Sequence, residues 1–415
     1  MTRKLHLFEG FGVEMEYMIV HKDTLHVLPI TDKLIYDAVG AYLSDVEFGD
    51  IAWSNELVLH VVELKTQGPV QSLAHLEEAF QRHVQQINQM LAKYDAMLLP
   101  TGAHPLMNPY TDTSLWPHEH NAVYEAYNKI FDCRGHGWAN LQSTHLNLPF
   151  FDDAEFGKLH AAIRVLLPII PALSASSPVL DGKITGLADT RLEVYRNNQE
   201  KIKSIAGQVI PEAVFTKADY EEQILQKMYK DIALYDPEGT LQEEFLNSRG
   251  AIARFERNTI EIRILDIQEN PVADIAIVQA IVAALKALMS EKWVRLEVLK
   301  KWHEDQLASI FLEVIKNGQN ASILDTDFLA LFGYTANEST TALKLWQHIL
   351  KETIDTEVTP GTAQALHHIL THGNLSHRIL KALGEEPSEE RINQVYQQLA
   401  KCLQEGIMFI PDTLC

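Results

Sequence analysis

The stretch Gly10-Phe-Gly-Val-Glu-Met-Glu-Tyr-Met-Ile-Val20 places two carboxylates, Glu14 and Glu16, two residues apart inside a run of strand formers. On a strand, residues i and i+2 share a face, so both carboxylates point the same way while Val13, Met15 and Tyr17 turn toward an apolar layer. Gly10 and Gly12 let the backbone enter the strand closely. Like charges side by side repel unless something positive stands between them. A divalent cation is one answer, because Mg²⁺ takes carboxylate ligands and keeps positions open for phosphate. A surface strand with a solvated polar face is the commoner one for an isolated E-x-E, so the other motifs of the chain must decide.

The chain has 415 residues, 46% hydrophobic and 22% charged, which is the composition of an ordinary globular protein able to bury a large core in one elaborate domain or two to three smaller ones. Its 35 basic and 56 acidic residues give a formal charge of -21. That balance argues against a nucleic-acid groove or an anionic membrane surface, both of which need basic patches. A nucleotide is still allowed, since Mg²⁺ and a few arginines decide that interaction locally. Cys133, Cys402 and Cys415 are widely spaced and form no C-x-x-C, so neither a disulfide framework nor a zinc knuckle is expected, and a reducing, cytoplasmic setting fits. The opening MTRKLHLFEG lacks the apolar region of a secretory signal, and none is expected. The run 272–289 is interrupted by Asp274, Gln279 and Lys286 and reads as a buried helix of a soluble protein.

Further along, SNELVLHVVELKT (54–66) reads as a strand flanked by Glu56 and Glu63. Their spacing of seven puts them on opposite faces of a regular strand, so a shared site requires a bulge or Glu56 in the preceding turn. Pro69 then opens an expected helix over 70–94, with Leu73, Leu76, Ala79, Phe80, Val84, Ile87 and Leu91 on its buried face. A short strand at 96–99 follows. Residues 108–137 lack periodicity and read as a long excursion of the kind that forms functional lids. Its His118 and His120, two apart and without a third ligand nearby, read as loop residues. NLQSTHLNLPF (140–150) reads as a strand with a polar row of Ser143, His145 and Asn147, and a helix capped by Asp152 begins at Asp153.

The segment 181–191, DGKITGLADTR, reads as a loop, with a phosphate-binding loop as the sharper alternative, and Arg191 and Arg196 are its anion partners. AIARFERNTIEIRILD (251–266) sets Arg257, Thr259, Glu261 and Arg263 on one face and Ile260, Ile262 and Ile264 on the other. On a surface strand this is an ion-pair ladder; in a curved sheet it lines a cavity. From Pro271 onward the pattern is helical, with breaks near Gly318, Gly333, 359–361 and 384–387 and apolar periodicity through Ala342, Leu345 and Ile349 and through Ile392, Val395, Leu399 and Leu403. There is no internal repeat and no low-complexity tract.

Five carboxylates and one histidine thus occupy polar-face positions on four strand-like stretches. Hard oxygen ligands in that number suit two or three Mg²⁺ ions clamping a triphosphate. Arg263, always charged and able to bind two oxygens at once, suits a phosphoryl group in transfer.

The order G-x-E-x-E, E-x6-E followed by Thr, S-T-H, LSASSP with TGLA-x-x-R, and T-I-E-I-R over roughly residues 9–290 resembles the glutamate-cysteine ligase family and its bacterial carboxylate-amine ligase branch. That resemblance implies an α+β fold, a curved antiparallel glutamine-synthetase-like sheet packed by helices, with the catalytic core at 1–290 and a helical region at 291–415 packed on it. It implies Glu14, Glu16, Glu56, Glu63, His145 and Glu261 as metal ligands and Arg263 as the phosphate-binding arginine, with Glu261 and Arg263 in catalysis. Arg191, Arg196 and Arg257 are further candidates for binding substrate or phosphate. The implied activity is ATP- and Mg²⁺-dependent amide formation through an acyl phosphate, with two or three ions, Mn²⁺ as an alternative, and glutamate and cysteine as the default pair. The other readings are a γ-glutamyl ligase with a different amine acceptor and a non-catalytic nucleotide-binding regulator. The partners expected are small molecules, with no nucleic acid and no membrane.

Overall fold

The computed structural model describes residues 4–335, 339–353 and 358–411. Cys415 lies outside them; Cys133 and Cys402 are both free and buried. The strands run β1 Gly12–His21, β2 Asp45–Phe48, β3 Ile51–Asn55, β4 Val61–Thr66, β5 Ala96–Leu99, β6 Ser143–Pro149, the small hairpin β7 Val179–Leu180 and β8 Lys183–Ile184, β9 Ala251–Arg254, β10 Thr259–Asp266, and the short antiparallel pair β11 Ser322–Ile323 and β12 Thr340–Thr341, which interrupts the otherwise helical region expected after Pro271. Eight of them form one antiparallel sheet in the order β2-β3-β4-β1-β6-β10-β9, with β5 on β1. β1 is its axis. It pairs with β4 along one edge, and along the other with β6 over its first half and β5 over its second.

Alternation along β1 decides the two faces. Val13, Met15 and Tyr17 are fully buried against the helix Leu76–Leu91, through Phe80, Val84 and Ile87. Behind it lies the helix Pro271–Met289, which is long and apolar enough to cross a membrane but is mostly buried against the helices Leu76–Leu91, Asp153–Leu166, Ala342–Thr353 and Pro360–His372. One cluster of buried apolar side chains is continuous from Phe11 through Trp346 and Leu366 to Leu403. Glu14, Glu16 and their neighbours occupy the opposite face of the sheet.

Several local expectations needed correction. The helix expected over 70–94 begins at Leu76, because Val70 instead exchanges backbone hydrogen bonds with Phe11 (2.8 and 2.9 Å) and His75 takes a left-handed conformation before the first turn. The stretch expected as one strand over 54–66 is the end of β3, a loop and then β4, and of the two ways for Glu56 to share a site with Glu63 the structure takes the second, with Glu56 in the connection before β4. Arg257 belongs to the turn between β9 and β10 and is off the strand face assigned to it. The excursion 108–137 contains a regular helix, Asn121–Phe131, whose apolar positions Tyr127 and Ile130 reach the core. Gly361 continues the helix Pro360–His372, whose start is set by the Thr359 cap. The Asp152 cap, the strand Ala96–Leu99 and the buried periodicity of the C-terminal helices are as expected.

Candidate active site

Antiparallel pairing brings the polar rows of four strands into register. Glu16 stands opposite Glu63 across β1 and β4, Glu14 opposite His145 across β1 and β6, and Glu261 opposite Asn147 across β6 and β10. Glu16, Glu63, His145 and Glu261 are all buried. The Glu56 loop carries its carboxylate back over this face. It is fixed by the excursion, since Leu59 N donates to Ser114 O at 2.8 Å, Trp116 N donates to Leu57 O at 3.0 Å, and Asn55 Nδ2 donates to the Tyr124 hydroxyl at 3.1 Å.

Hydrogen bonds hold the Glu14, Glu16, Glu63 and Glu261 carboxylates, and on Glu16 and Glu63 they engage one oxygen only. Ser143 gives Glu16 Oε2 its backbone N–H and hydroxyl at 2.7 and 2.8 Å. His145 Nδ1 is 2.9 Å from Glu14 Oε2, and Asn147 Nδ2 donates to Glu14 Oε1 at 2.9 Å. Ser54 donates to Glu63 Oε1 at 2.6 Å, and Lys65 Nζ lies 3.4 Å from that oxygen and 2.5 Å from Asp45. Arg263 closes on Glu261 Oε1 through Nε at 3.0 Å and Nη2 at 2.9 Å, while Arg254 Nη1 approaches the second oxygen at 3.7 Å.

The electrostatics divide the row in two. Burial raises the Glu14 carboxyl, but the His145 hydrogen bond with the charges of His145, Lys65 and Arg263 outweighs it and holds the group down at about 2. Burial lowers His145, yet Glu14 and Glu16 bring it up to about 9; a cation at this site would take the imidazole in its neutral form, displacing that proton. Burial and the neighbouring Glu14 push Glu63 up to about 7, with Lys65 and Ser54 opposing. Burial and the adjoining Glu63 and Glu16 raise Glu56 well above the ordinary carboxylate range. Glu56 and Glu63, on one side of the row, are therefore undersupplied with positive charge.

Two groups of donors converge there. One ligand atom each from Glu16, Glu56 and Glu63, and one each from Glu14, Glu63 and His145, lie within 4.8 Å of one another in each group. Glu63 belongs to both. An oxygen-rich pair of sites sharing one carboxylate fits hard divalent cations such as Mg²⁺, and a cation between Glu56 and Glu63 would offset the burial and the carboxylate repulsion that raise them. Glu261 stands outside both groups, 3.8 Å from His145 and committed to Arg263.

The three arginines proposed for anions are placed differently from one another. Arg191 is buried and paired with Asp266 behind Glu16. Arg196 is turned to Glu193, with bonds of 2.7 and 2.8 Å. Arg257, largely exposed, lies 3.6 Å from Glu256. His118 Nε2 is 3.1 Å from Asp32 and its ring stacks on Tyr42, while His120 is exposed; neither joins a ligand group among the described residues. Lys65, Ser54, Arg254 and Tyr124 are site neighbours that the sequence reading passed over. Lys65 was visible in principle, two residues beyond Glu63 on the same face. Tyr124 was not, because only the folded excursion brings it to Asn55.

The chain belongs to glutamate-cysteine ligase family 2 (GCS2), whose profile matches residues 10–398. An uncharacterized protein of Archaeoglobus fulgidus is 36% identical over 280 residues, covering 68% of this chain and 75% of its own. A putative glutamate–cysteine ligase 2 of Ruegeria pomeroyi is 25% identical over 189 residues, and one of Bradyrhizobium diazoefficiens 24% identical over 222 residues. The matched stretches cover 45% and 46% of those two ligases. Among solved structures, glutamate–cysteine ligase from Francisella tularensis in complex with AMP superposes with a TM-score of 0.58 at 14% identity, covering 95% of this chain and 88% of that one. A bifunctional glutathione synthetase from Pasteurella multocida gives 0.57 at 12% identity, covering 96% of this chain and 52% of that one. At such identities the likeness is one of fold, a mixed helical and antiparallel-sheet architecture.

Proposed function

We propose that this protein is an ATP-dependent carboxylate–amine ligase built on a glutamine-synthetase-like sheet, with glutamate as the carboxylate donor and cysteine as the default amine. The observation that carries the reading is the pair of carboxylate groups sharing Glu63, set across the same sheet face as the Glu261-anchored guanidinium of Arg263. Membership of the glutamate-cysteine ligase family supports the reaction class, and the AMP held by the Francisella protein supports an adenine nucleotide.

The obstacle to joining a carboxylate to ATP is the repulsion between two anions. Mg²⁺ ions, held by Glu16, Glu56 and Glu63 and by Glu14, Glu63 and His145, would supply neutralising charge to the triphosphate. The protein's own residues set the geometry. Ser143 and Asn147 fix the Glu16 and Glu14 oxygens with directed hydrogen bonds, and His145 Nδ1 ties Glu14 in place. Arg263, aligned by Glu261, offers its remaining N–H groups to the phosphoryl oxygens as negative charge shifts onto them. The substrate carboxylate oxygen forms a bond to the γ-phosphorus as the bond to ADP breaks. The amine nitrogen then attacks the acyl carbon, loses a proton, and phosphate leaves. With a thiol-bearing amine the chemistry requires a reducing compartment, which we take to be the cytoplasm.

The test is ADP release from the purified protein with ATP, Mg²⁺ and glutamate, adding single amino acids and small amines in turn, with mass spectrometry of the products. Release stimulated by one amine together with the matching amide mass establishes the ligase and names the acceptor. Absence of release with every amine, while ATP still binds in a Mg²⁺-dependent way, overturns glutamate as donor and favours a nucleotide-binding regulator.

A further inference from the structure

The two ligand groups are not built alike. Ser143 holds Glu16, Ser54 holds Glu63, and His145 and Asn147 hold Glu14, all from strands of the sheet itself. Glu56 lies in the connection between β3 and β4, and among the described residues its carboxylate accepts no hydrogen bond. Its direction is set by its backbone, and that backbone is held from outside the sheet. Asn55 Nδ2 donates to the Glu56 carbonyl at 3.0 Å and to the Tyr124 hydroxyl at 3.1 Å. Beyond Glu56, the bonds from Leu59 N to Ser114 O and from Trp116 N to Leu57 O set Val58 opposite Leu115 in an antiparallel bridge. Every outside partner of this loop thus falls in 114–124, within the excursion.

The seat of 114–124 is small. Trp116 is 1% exposed, but it packs with Ile35 and Val46, flanked by Leu59 and Tyr124, in a cluster separate from the main core. One turn along the helix from Tyr124, Tyr127 already belongs to the main core. A unit held by few buried apolar side chains opens more readily than the core beside it. Opening of 114–124 would take the anchors from Glu56 while Glu14, Glu16, Glu63 and His145 keep theirs. The group of Glu14, Glu63 and His145 is therefore complete on the sheet alone, whereas that of Glu16, Glu56 and Glu63 is complete only with the excursion seated.

Resting on the metal assignment made for the ligase reading above, we propose that Tyr124 and Trp116 are positioning residues for Glu56, which makes the excursion a working part of one of the two cation sites. A divalent cation that takes Glu56 as a ligand binds only the seated form and stabilises it by linkage. A cation at Glu14, Glu63 and His145 has no such dependence. The wall over 114–124 then closes with the loading of one cation, before any nucleotide or amino acid arrives.

The test uses the full chain without nucleotide or substrate and Mn²⁺ as the probe. Binding is counted from the EPR signal of the free ion, and hydrogen exchange is followed by mass spectrometry with and without Mn²⁺. At about ten times the dissociation constant, linkage lowers the open population about tenfold. Exchange at 56–60 and 114–124 should slow by that factor, with little change in the helix Leu76–Leu91. Tyr124→Phe keeps the ring in its cluster and removes the oxygen that Asn55 meets. It is expected to weaken one Mn²⁺ site about tenfold, leave the other unchanged and lose most of the protection. Two Mn²⁺ bound with no slowing at 56–60 and 114–124 overturns the proposal and leaves the ligase reading standing. A folded Tyr124→Phe with both wild-type affinities does the same. If Tyr124→Phe does not fold, Glu56→Gln decides: loss of the Mn²⁺-dependent protection upholds the coupling, and protection that persists overturns it. No Mn²⁺ binding by the wild type overturns the metal assignment and the proposal together. Binding with protection in a protein that releases no ADP upholds the proposal while the ligase reading fails by itself.

Discussion

Arg378 and Glu269, buried between the C-terminal helices and the core, face one another as single opposite charges, with Arg378 also donating to the carbonyls of Gly373 at 3.0 Å and Phe409 at 2.8 Å. Arg249 and Glu212 form a two-pronged pair at 2.6 Å in the same manner. On the sheet face the pattern is different. Glu14, Glu16, Glu56, Glu63 and Glu261 are gathered around His145, Lys65 and Arg263, and two of the carboxyls, Glu56 and Glu63, are pushed upward because burial and their carboxylate neighbours outweigh the cations nearby. The structural pairs balance their charge within the chain; the sheet face leaves its balance to something outside it. That imbalance marks the site more clearly than the size of any cavity.

Four experiments break or sharpen the contrast. Glu63→Ala removes the carboxylate common to both ligand groups and should lower ADP release by about 10³-fold, equivalent to roughly 4 kcal/mol of barrier. The same protein should unfold at or above the wild-type temperature without divalent cations, because a repelled group has been removed. Turnover at the wild-type rate breaks the metal assignment. Arg378→Ala should do the reverse, destabilising by about 3–5 kcal/mol because it leaves Glu269 buried and unpaired; denaturant unfolding that matches the wild type would show the pair to be unimportant.

Arg263→Lys should lower kcat by about 10²-fold with little change in stability, since an ammonium cannot grip Glu261 and a phosphoryl group together. An unchanged rate removes Arg263 from the mechanism.

The smallest effect is a pH dependence. Glu63 has a folded-state value of about 7 against 4.5 for an ordinary glutamate, so the folded protein binds the extra proton and loses stability as pH rises from about 4.5 through 7. Glu14, held at about 2, works in the other sense and destabilises only as pH falls below 4.5 toward 2. A cation binds the deprotonated Glu63. The rise in Tm on adding Mg²⁺ should therefore grow between pH 5 and 8 by a few degrees, about 1 kcal/mol, and should be flat in Glu63→Gln. A Mg²⁺ effect independent of pH in the wild type would separate Glu63 from the cation.

Much of this site was legible in order, because strand alternation is a local rule. Glu14 and Glu16 share a face with or without a known fold, as do Ser143, His145 and Asn147, and Glu261 and Arg263. Connections were harder to read. The stretch 54–66 read as one strand because Leu57, Val58 and Leu59 are strand formers, leaving open whether a bulge or a turn brought Glu56 to Glu63; these residues form a loop stapled to 114–116, a choice made by backbone partners more than fifty residues away. The helix start was misplaced for the same reason, since Val70 is held by Phe11.

By itself the sequence determined which side chains could face one way on each strand, which helices were apolar enough to be buried, and the family resemblance carried by the motif order. Only the tertiary structure decided which strands stand side by side, and hence that Glu63 joins both Glu16 and Glu14. It also decided that Arg191 turns inward to Asp266 while Arg196 turns away to Glu193. The physical reason is range. Alternation and helical periodicity act over a few residues, whereas register between distant strands, and the charge balance of a buried cluster, exist only after the whole chain has closed around them.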